Sequence, residues 1–239
     1  MNISKTNLFL KATYKSKDDL KHNEAKLTHP VAIQKKYKKL IQNNKPLEEH
    51  TPQDKDQYET KYYMEYSNIE TLKDLEKNLM VDNHIYELLQ NNTNKIYFDI
   101  DYKDNCELHD AEQTREQTDK FLDRFKGILE TELKIKIHPD DFIILTNENK
   151  NKLGQSSDKI HSLHIIINSY KMDWKQQQKL TNYINFKHNL KLDPAVYGVD
   201  KIFRMINQTK QQTNIKLVSY YGEIKPLKKS FISHVGKAT

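Results

Sequence analysis

Cysteine occurs once in this 239-residue chain, at Cys106, and glycine only five times. A lone cysteine excludes an internal disulfide and any zinc site built on paired cysteines of the chain, and a reducing compartment is the expected setting. The few glycines form no GxxxxGK[ST] phosphate loop, which excludes P-loop nucleotide chemistry within this sequence. No segment approaches the ~18 consecutive apolar residues of a membrane helix. The opening MNISKTNLFLKATYKSKDDL also lacks the apolar centre of a signal peptide, so the expectation is a soluble, intracellular protein with no membrane partner. Arginine is scarce as well, with three among 39 basic residues. Repeats and collagen-like, Gly/Ser-rich or Pro-rich tracts are missing too.

What is present is a polar chain with a real core. Hydrophobic residues make up 36% and charged residues 30%, with 14 tyrosines and 8 phenylalanines, enough apolar surface to fold. The net charge is +6, and its distribution is uneven. Residues 151–239 carry 15 Lys/Arg against 5 Asp/Glu, while residues 1–150 carry 24 against 28. A basic C-terminal part is what a phosphate-binding face requires; a solvated lysine surface, or AT-rich coding, produces the same count.

The chain divides into a weakly patterned, partly helical N-terminal extension over 1–60, a main domain over 61–225 and a tail over 226–239. Ile33, Tyr37, Leu40 and Ile41 recur at helical spacing after Pro30 and predict a helix from about Val31 to Ile41. Ser67 and Glu70 form a capping box for a second helix carrying Ile69, Leu72, Leu75 and Leu79. IYFDIDY (96–102) alternates as a strand, and Asp110 is placed to cap a helix with Leu122, Phe125, Leu129 and Leu133 on one face. DFIILTN (141–147) and KIHSLHIIIN (159–168) read as strands, Trp174 to His188 as a helix, and Ile202–Ile206 and Ile215–Tyr220 as short strands after a turn at Asp193-Pro194. Strand, helix, strand, strand, helix, strand is the ferredoxin-like order, an α/β (α+β) sheet with helices on one face and the other face left for chemistry.

Three constellations carry chemistry. In IYFDIDY the alternation sets Tyr97, Asp99 and Asp101 on one face, opposite Ile96, Phe98 and Ile100. Adjacent carboxylates repel unless cations lie between them, and hard oxygen donors suit magnesium or manganese. In KIHSLHIIIN, Ser162 and His164 share a face, where hydroxyl and imidazole can both donate to phosphate oxygens, and beside a triphosphate the protonated imidazole is favoured. His161 falls on the apolar side, as a packed histidine. In LDPAVYGVDKIFRMINQTK (192–210), Asp193 at a turn precedes Lys201, Arg204 and Lys210, and Arg204 offers a phosphate two parallel hydrogen bonds that lysine cannot. Each motif alone also fits a solvent-facing strand or surface.

In this order, D-x-D, S-x-H and the run D-P-A-V-Y-x5-F-R-x5-K resemble the archaeo-eukaryotic primase superfamily, in particular the branch of the eukaryotic primase-polymerase and the primases of large DNA viruses. The resemblance covers about Ile96 to Lys210. It implies an RNA-recognition-like catalytic sheet with an N-terminal α or α/β extension. It also implies Mg²⁺ or Mn²⁺ held by Asp99, Asp101 and Asp193, phosphate contacts from Ser162 and His164, and triphosphate binding by Lys201, Arg204 and Lys210. The partners it implies are an NTP or dNTP and a single-stranded or primed DNA template. A viral or mobile-element source, in host cytoplasm or nucleus, suits the Lys, Asn and Ile bias.

Two departures qualify it. Relatives commonly carry a Cys/His zinc module for starting chains, which one cysteine cannot build, and many continue into a helicase. Either this chain is a catalytic fragment or a separate helicase partners it. Two other readings stay open: a D-x-D glycosyltransferase using a sugar nucleotide, and a non-catalytic module that stacks single-stranded nucleic acid. The second lacks the K/R-G-F/Y aromatic signature.

Overall fold

The computed structural model describes residues 31–37, 59–65, 69–80, 85–89, 92–101, 115–147, 162–209 and 215–233. They form a mixed α+β structure with two four-stranded, wholly antiparallel sheets. The first contains β1 (Val31–Tyr37), β2 (Glu59–Glu65), β3 (Ile85–Leu89) and β7 (Lys201–Arg204) in the order β2-β1-β3-β7. The second, central sheet contains β4 (Thr93–Asp101), β5 (Phe142–Asn147), β6 (Ser162–Asp173) and β8 (Leu217–Ser219) in the order β4-β6-β5-β8. Helices α1 (Ile69–Leu79), α2 (Arg115–Leu133) and α3 (Trp174–His188) complete the described elements of regular structure, with three short 3₁₀ turns.

Alternation along the central strands builds two cores. Ile96, Phe98 and Ile100 of β4, Ile144 of β5 and Leu163, Ile165 and Ile167 of β6 face one way. There they meet Leu122, Phe125 and Leu129 of α2, a stripe at four- and three-residue steps, and Ile184 of α3. Phe98 and Phe125 pack edge to face, with centroids 5.2 Å apart. The intervening residues Tyr97, Ile143, Leu145 and Ile166 face the other way, against Leu75 and Leu79 of α1, Ile85 and Leu89 of β3, Phe203 of β7 and the C-terminal Phe231 and Ile232. Helix α3 owes its ends to local chemistry. Asp173 caps it by accepting from the Lys175 N–H at 2.8 Å, and Asn189 closes it in the left-handed conformation, φ 50°.

Several expectations change. The helix expected over Val31–Ile41 is strand β1 across 31–37, the inner strand between β2 and β3. Val31, Ile33 and Tyr37 also fit a two-residue period interrupted at Lys35, and hydrogen-bonding partners on both sides decide in favour of the strand. The Asp110 cap lies outside the described residues, and α2 begins at Arg115. The face of the central sheet expected to stand open for chemistry is instead largely covered, among the described residues, by the second core, with Asp101 exposed at one end. The strand expected near Ile202–Ile206 forms β7, which pairs with β3 in the other sheet.

The segment read as a tail from 226 is integral as far as 233. Phe231 and Ile232 are fully buried, and the segment satisfies two buried charges. Lys95 Nζ donates to the Lys228 and Lys229 carbonyls, each at 3.0 Å. Glu87 accepts from the Ile232 and Ser233 backbone N–H groups, both at 2.7 Å, and from the Ser233 hydroxyl. Burial lowers the Lys95 amine to about 8, against the opposing charge of Glu87.

Candidate active site

Strand register brings the first two motifs together. In the β4–β6 pairing Asp99 stands opposite His164, and Asp101 opposite Ser162. Directly opposed side chains on one face of an antiparallel pair are neighbours, so all four converge. Asp99 and His164 are buried, Ser162 is half-buried and Asp101 is exposed, so the cluster runs from a closed floor to an open mouth. The His164 ring lies 4.4 Å from the Phe203 ring, which walls the floor. Ser162 is held by its backbone: its N–H donates to the Asn147 side chain at 3.2 Å and its carbonyl accepts from the Thr146 hydroxyl at 2.9 Å.

Among the described strands β4 is at the edge of its sheet, and several of its outward backbone groups are met by side chains and by loop backbone. Gln177 of α3 accepts from the Tyr97 N–H at 3.1 Å and donates to the Lys95 carbonyl at 3.2 Å, spanning the irregularity between Lys95 and Ile96. The Lys95 N–H donates to the Ile232 carbonyl at 2.9 Å, the Tyr97 carbonyl accepts from the Tyr197 hydroxyl at 2.7 Å, and the Asp99 carbonyl accepts from the Asp193 N–H at 2.8 Å. The last of these bonds draws Asp193 to the cluster. Asp193 itself caps the 3₁₀ turn Pro194–Val196 through the Ala195 N–H, at 2.7 Å.

The proximity of these charges shifts the titration of the buried members. Burial, followed by the charges of Asp101 and Asp193, pushes the Asp99 carboxyl up to about 8, and Arg204 opposes the shift. Burial and the charge of Arg204 lower His164 to about 3. The lowered value favours the neutral imidazole in the free protein; the protonated form is expected only beside a triphosphate. Its Nε2 lies 3.2 Å from Asp99 Oδ1, but outside hydrogen-bond alignment, so both Asp99 Oδ1 and His164 Nδ1 are buried without a hydrogen bond. Such orphaned groups cost free energy unless something else engages them.

Arg204 donates to the Ile215 carbonyl at 3.2 Å, and Lys201, at the start of β7, is exposed. Lys210 and His161 lie outside the described residues. The structure thus brings together Asp99, Asp101, Asp193, Ser162, His164 and Arg204. Sequence reasoning missed Gln177, Thr181, Tyr97 and Tyr197 as supports. For Gln177 and Thr181 the available signal was polar character at core-facing positions of α3, where they are buried along one side with Ile184.

The donor set, three carboxylates with an unengaged buried oxygen among them, fits a hard divalent cation. Among the described residues, however, no three His, Cys, Asp or Glu side chains are grouped closely enough to hold a metal ion as they stand. A cavity of about 490 Å³ lies elsewhere, lined by Glu76, Met80, Ile224 and Leu227 among others, and holds none of the motif residues. No protein-family model matches the chain, and no curated protein is significantly similar to it in sequence.

Proposed function

We propose that this chain is a template-directed nucleotidyltransferase of the primase-polymerase kind, similar to the archaeo-eukaryotic primases. It would join NTPs or dNTPs to a 3′-hydroxyl with release of pyrophosphate. One observation carries the reading: the β4–β6 register that opposes Asp99 to His164 and Asp101 to Ser162, with Asp193 hydrogen-bonded to the same strand. A solvent-facing D-x-D needs none of these companions, and a sugar-nucleotide enzyme accounts for the two acids alone. The order β4-β6-β5, with α2 joining β4 to β5, is that of the first three strands of an RNA-recognition-like sheet. In the place beside β4 where such a sheet carries its fourth strand stand the Asp193 turn and the side chains of α3.

Asp99, Asp101 and Asp193 would hold Mg²⁺ or Mn²⁺. When bound, the ions activate the attacking hydroxyl and offset charge on the departing pyrophosphate. The remaining roles belong to side chains. Ser162 and His164 donate to phosphate oxygens, and a triphosphate arriving beside the neutral imidazole favours its protonation. Arg204 grips the triphosphate through paired N–H donors, and Lys201 and Lys210 add charge around it. The basic residues of the C-terminal third hold the template backbone.

The test is primer extension with labelled NTPs or dNTPs under Mg²⁺ or Mn²⁺, beside a variant carrying Asp99→Ala and Asp101→Ala. Incorporation by the parent and none by the variant is expected. Single-strand binding with no extension and no dinucleotide product under either metal overturns the reading in favour of a binding module. Sugar-nucleotide hydrolysis without polymer overturns it in favour of a glycosyltransferase.

A further inference from the structure

Two tyrosines link the segments that carry the aspartates. Tyr97 precedes Asp99 by two residues, and Tyr197 follows Asp193 by four. The Tyr197 hydroxyl donates to the Tyr97 carbonyl at 2.7 Å, and the Tyr97 hydroxyl donates to the Val196 carbonyl at 3.1 Å, so each phenol grips the other's backbone segment. Their rings pack at 5.0 Å. The Thr181 hydroxyl donates to the Tyr197 oxygen at 2.8 Å, and Gln178, also on α3, donates to the Pro194 carbonyl at 3.1 Å. A three-residue 3₁₀ turn has little rigidity of its own, and these bonds hold it to β4 and α3. Both rings are buried, and the Asp99 and Asp193 charges reach Tyr197, raising its phenol further above the ordinary value that burial already lifts. It stays protonated and able to donate.

Resting on the nucleotidyltransferase reading, we propose that Tyr197 is a positioning residue of the aspartate cluster. Its hydroxyl sets the spacing between the Asp193 turn and β4, and with it the geometry in which Asp193 joins Asp99 and Asp101 on one cation. The hydroxyl touches no substrate and acts only through the backbone it holds. Carboxylates must be placed to within a fraction of an ångström to share an ion, and partners that orient ligands govern metal affinity as well as turnover. Tyr97 makes the reciprocal bond to Val196, the last residue of the same turn, farther from Asp193, and contributes less.

The experiment measures Mn²⁺ binding by titration calorimetry, thermal melting, and kcat and KM for primer extension in the parent and three variants. Tyr197→Phe is expected to weaken Mn²⁺ binding by about tenfold or more and to lower kcat with KM for the template unchanged. Tyr97→Phe is expected to do the same to a smaller extent. Tyr170→Phe removes a comparable hydroxyl, whose bond to the Lys136 carbonyl lies away from the cluster, and is expected to alter neither. A folded Tyr197→Phe with parental Mn²⁺ affinity and kcat overturns the proposal. If Tyr197→Phe does not fold, unchanged Mn²⁺ affinity in Tyr97→Phe overturns it instead. A parent that binds no Mn²⁺ and extends no primer removes the nucleotidyltransferase reading itself, and the tyrosine proposal falls with it. A parent that does both, with variants indistinguishable from it, removes the tyrosine proposal alone.

Discussion

The two faces of the central sheet are built from alternate residues of the same strands, yet they do opposite things. Beneath α2 and α3 the buried positions are mostly apolar, and the polar ones among them, such as Gln177 and Thr181, are hydrogen-bonded, so dispersion and burial act together. Across the sheet the apolar packing stops at Tyr97 and Ile166, and beyond it come Asp99 and His164, buried with atoms that no hydrogen bond satisfies. The first face holds the fold and the second carries a polar cluster that works against it. A site of this kind persists only where the surrounding structure over-determines it, and the helix-covered face, with the side chains lining the β4 edge, supplies that surplus.

Substitutions separate the two faces. The largest effect is expected at the polar end: Asp99→Ala with Asp101→Ala lowers nucleotide incorporation by at least about a thousandfold, measured by primer extension. Because a buried carboxyl with one oxygen left without a hydrogen bond is removed, thermal stability is unchanged or higher in the same protein. Next comes the apolar face, where Phe125→Ala costs about 3–5 kcal/mol in urea unfolding. Mn²⁺ affinity of the remaining folded fraction stays parental. An Mn²⁺ affinity that fell with Phe125→Ala would dissolve the distinction between the faces.

The pH dependence is smaller. Asp99, raised to about 8, keeps a proton in the folded chain that the unfolded chain loses near 3.8, so its contribution is present at low pH and is lost as pH rises toward 8. His164, lowered to about 3 from 6.5, has the opposite sign, and stability is lost as pH falls below 6.5. Between these ordinary values the two slopes oppose each other; above 6.5 Asp99 acts alone. The metal-free protein should therefore lose up to about 1.4 kcal/mol per pH unit between pH 6.5 and 8, by denaturant titration. Asp99→Asn should flatten that slope. Mn²⁺, which must displace the Asp99 proton, should bind about tenfold more tightly per pH unit over the same window. Smallest is Arg204→Lys, expected to raise KM for the nucleotide about tenfold by replacing a two-bond grip with a point charge.

Much of this was legible in local pattern. Alternation in IYFDIDY and KIHSLHIIIN assigned Asp99, Asp101, Ser162 and His164 to their faces, and helix α3 spans the expected Trp174–His188. What local pattern cannot express is who pairs with whom. Residues 31–37 fit two periods, and only β2 and β3, distant in sequence, decide between them. Asp193 meets Asp99 through a backbone bond across 94 residues, and no spacing rule contains it. Glu87 and Lys95 are charged, so pattern reading leaves them at the surface. Their burial depends on carbonyl and N–H groups from 228–233 that no residue near them in sequence announces.

That last arrangement bears on how the chain is made. Synthesis delivers Glu87 and Lys95 long before residues 228–233, so a nascent chain holds two charges whose backbone partners do not yet exist. Until the final segment arrives, β3 and β4 can pair with their neighbours but cannot dehydrate fully. The two sheets therefore close over each other only late in translation, and a ribosome stalled short of Lys228 should display a chain that protease still cuts between them.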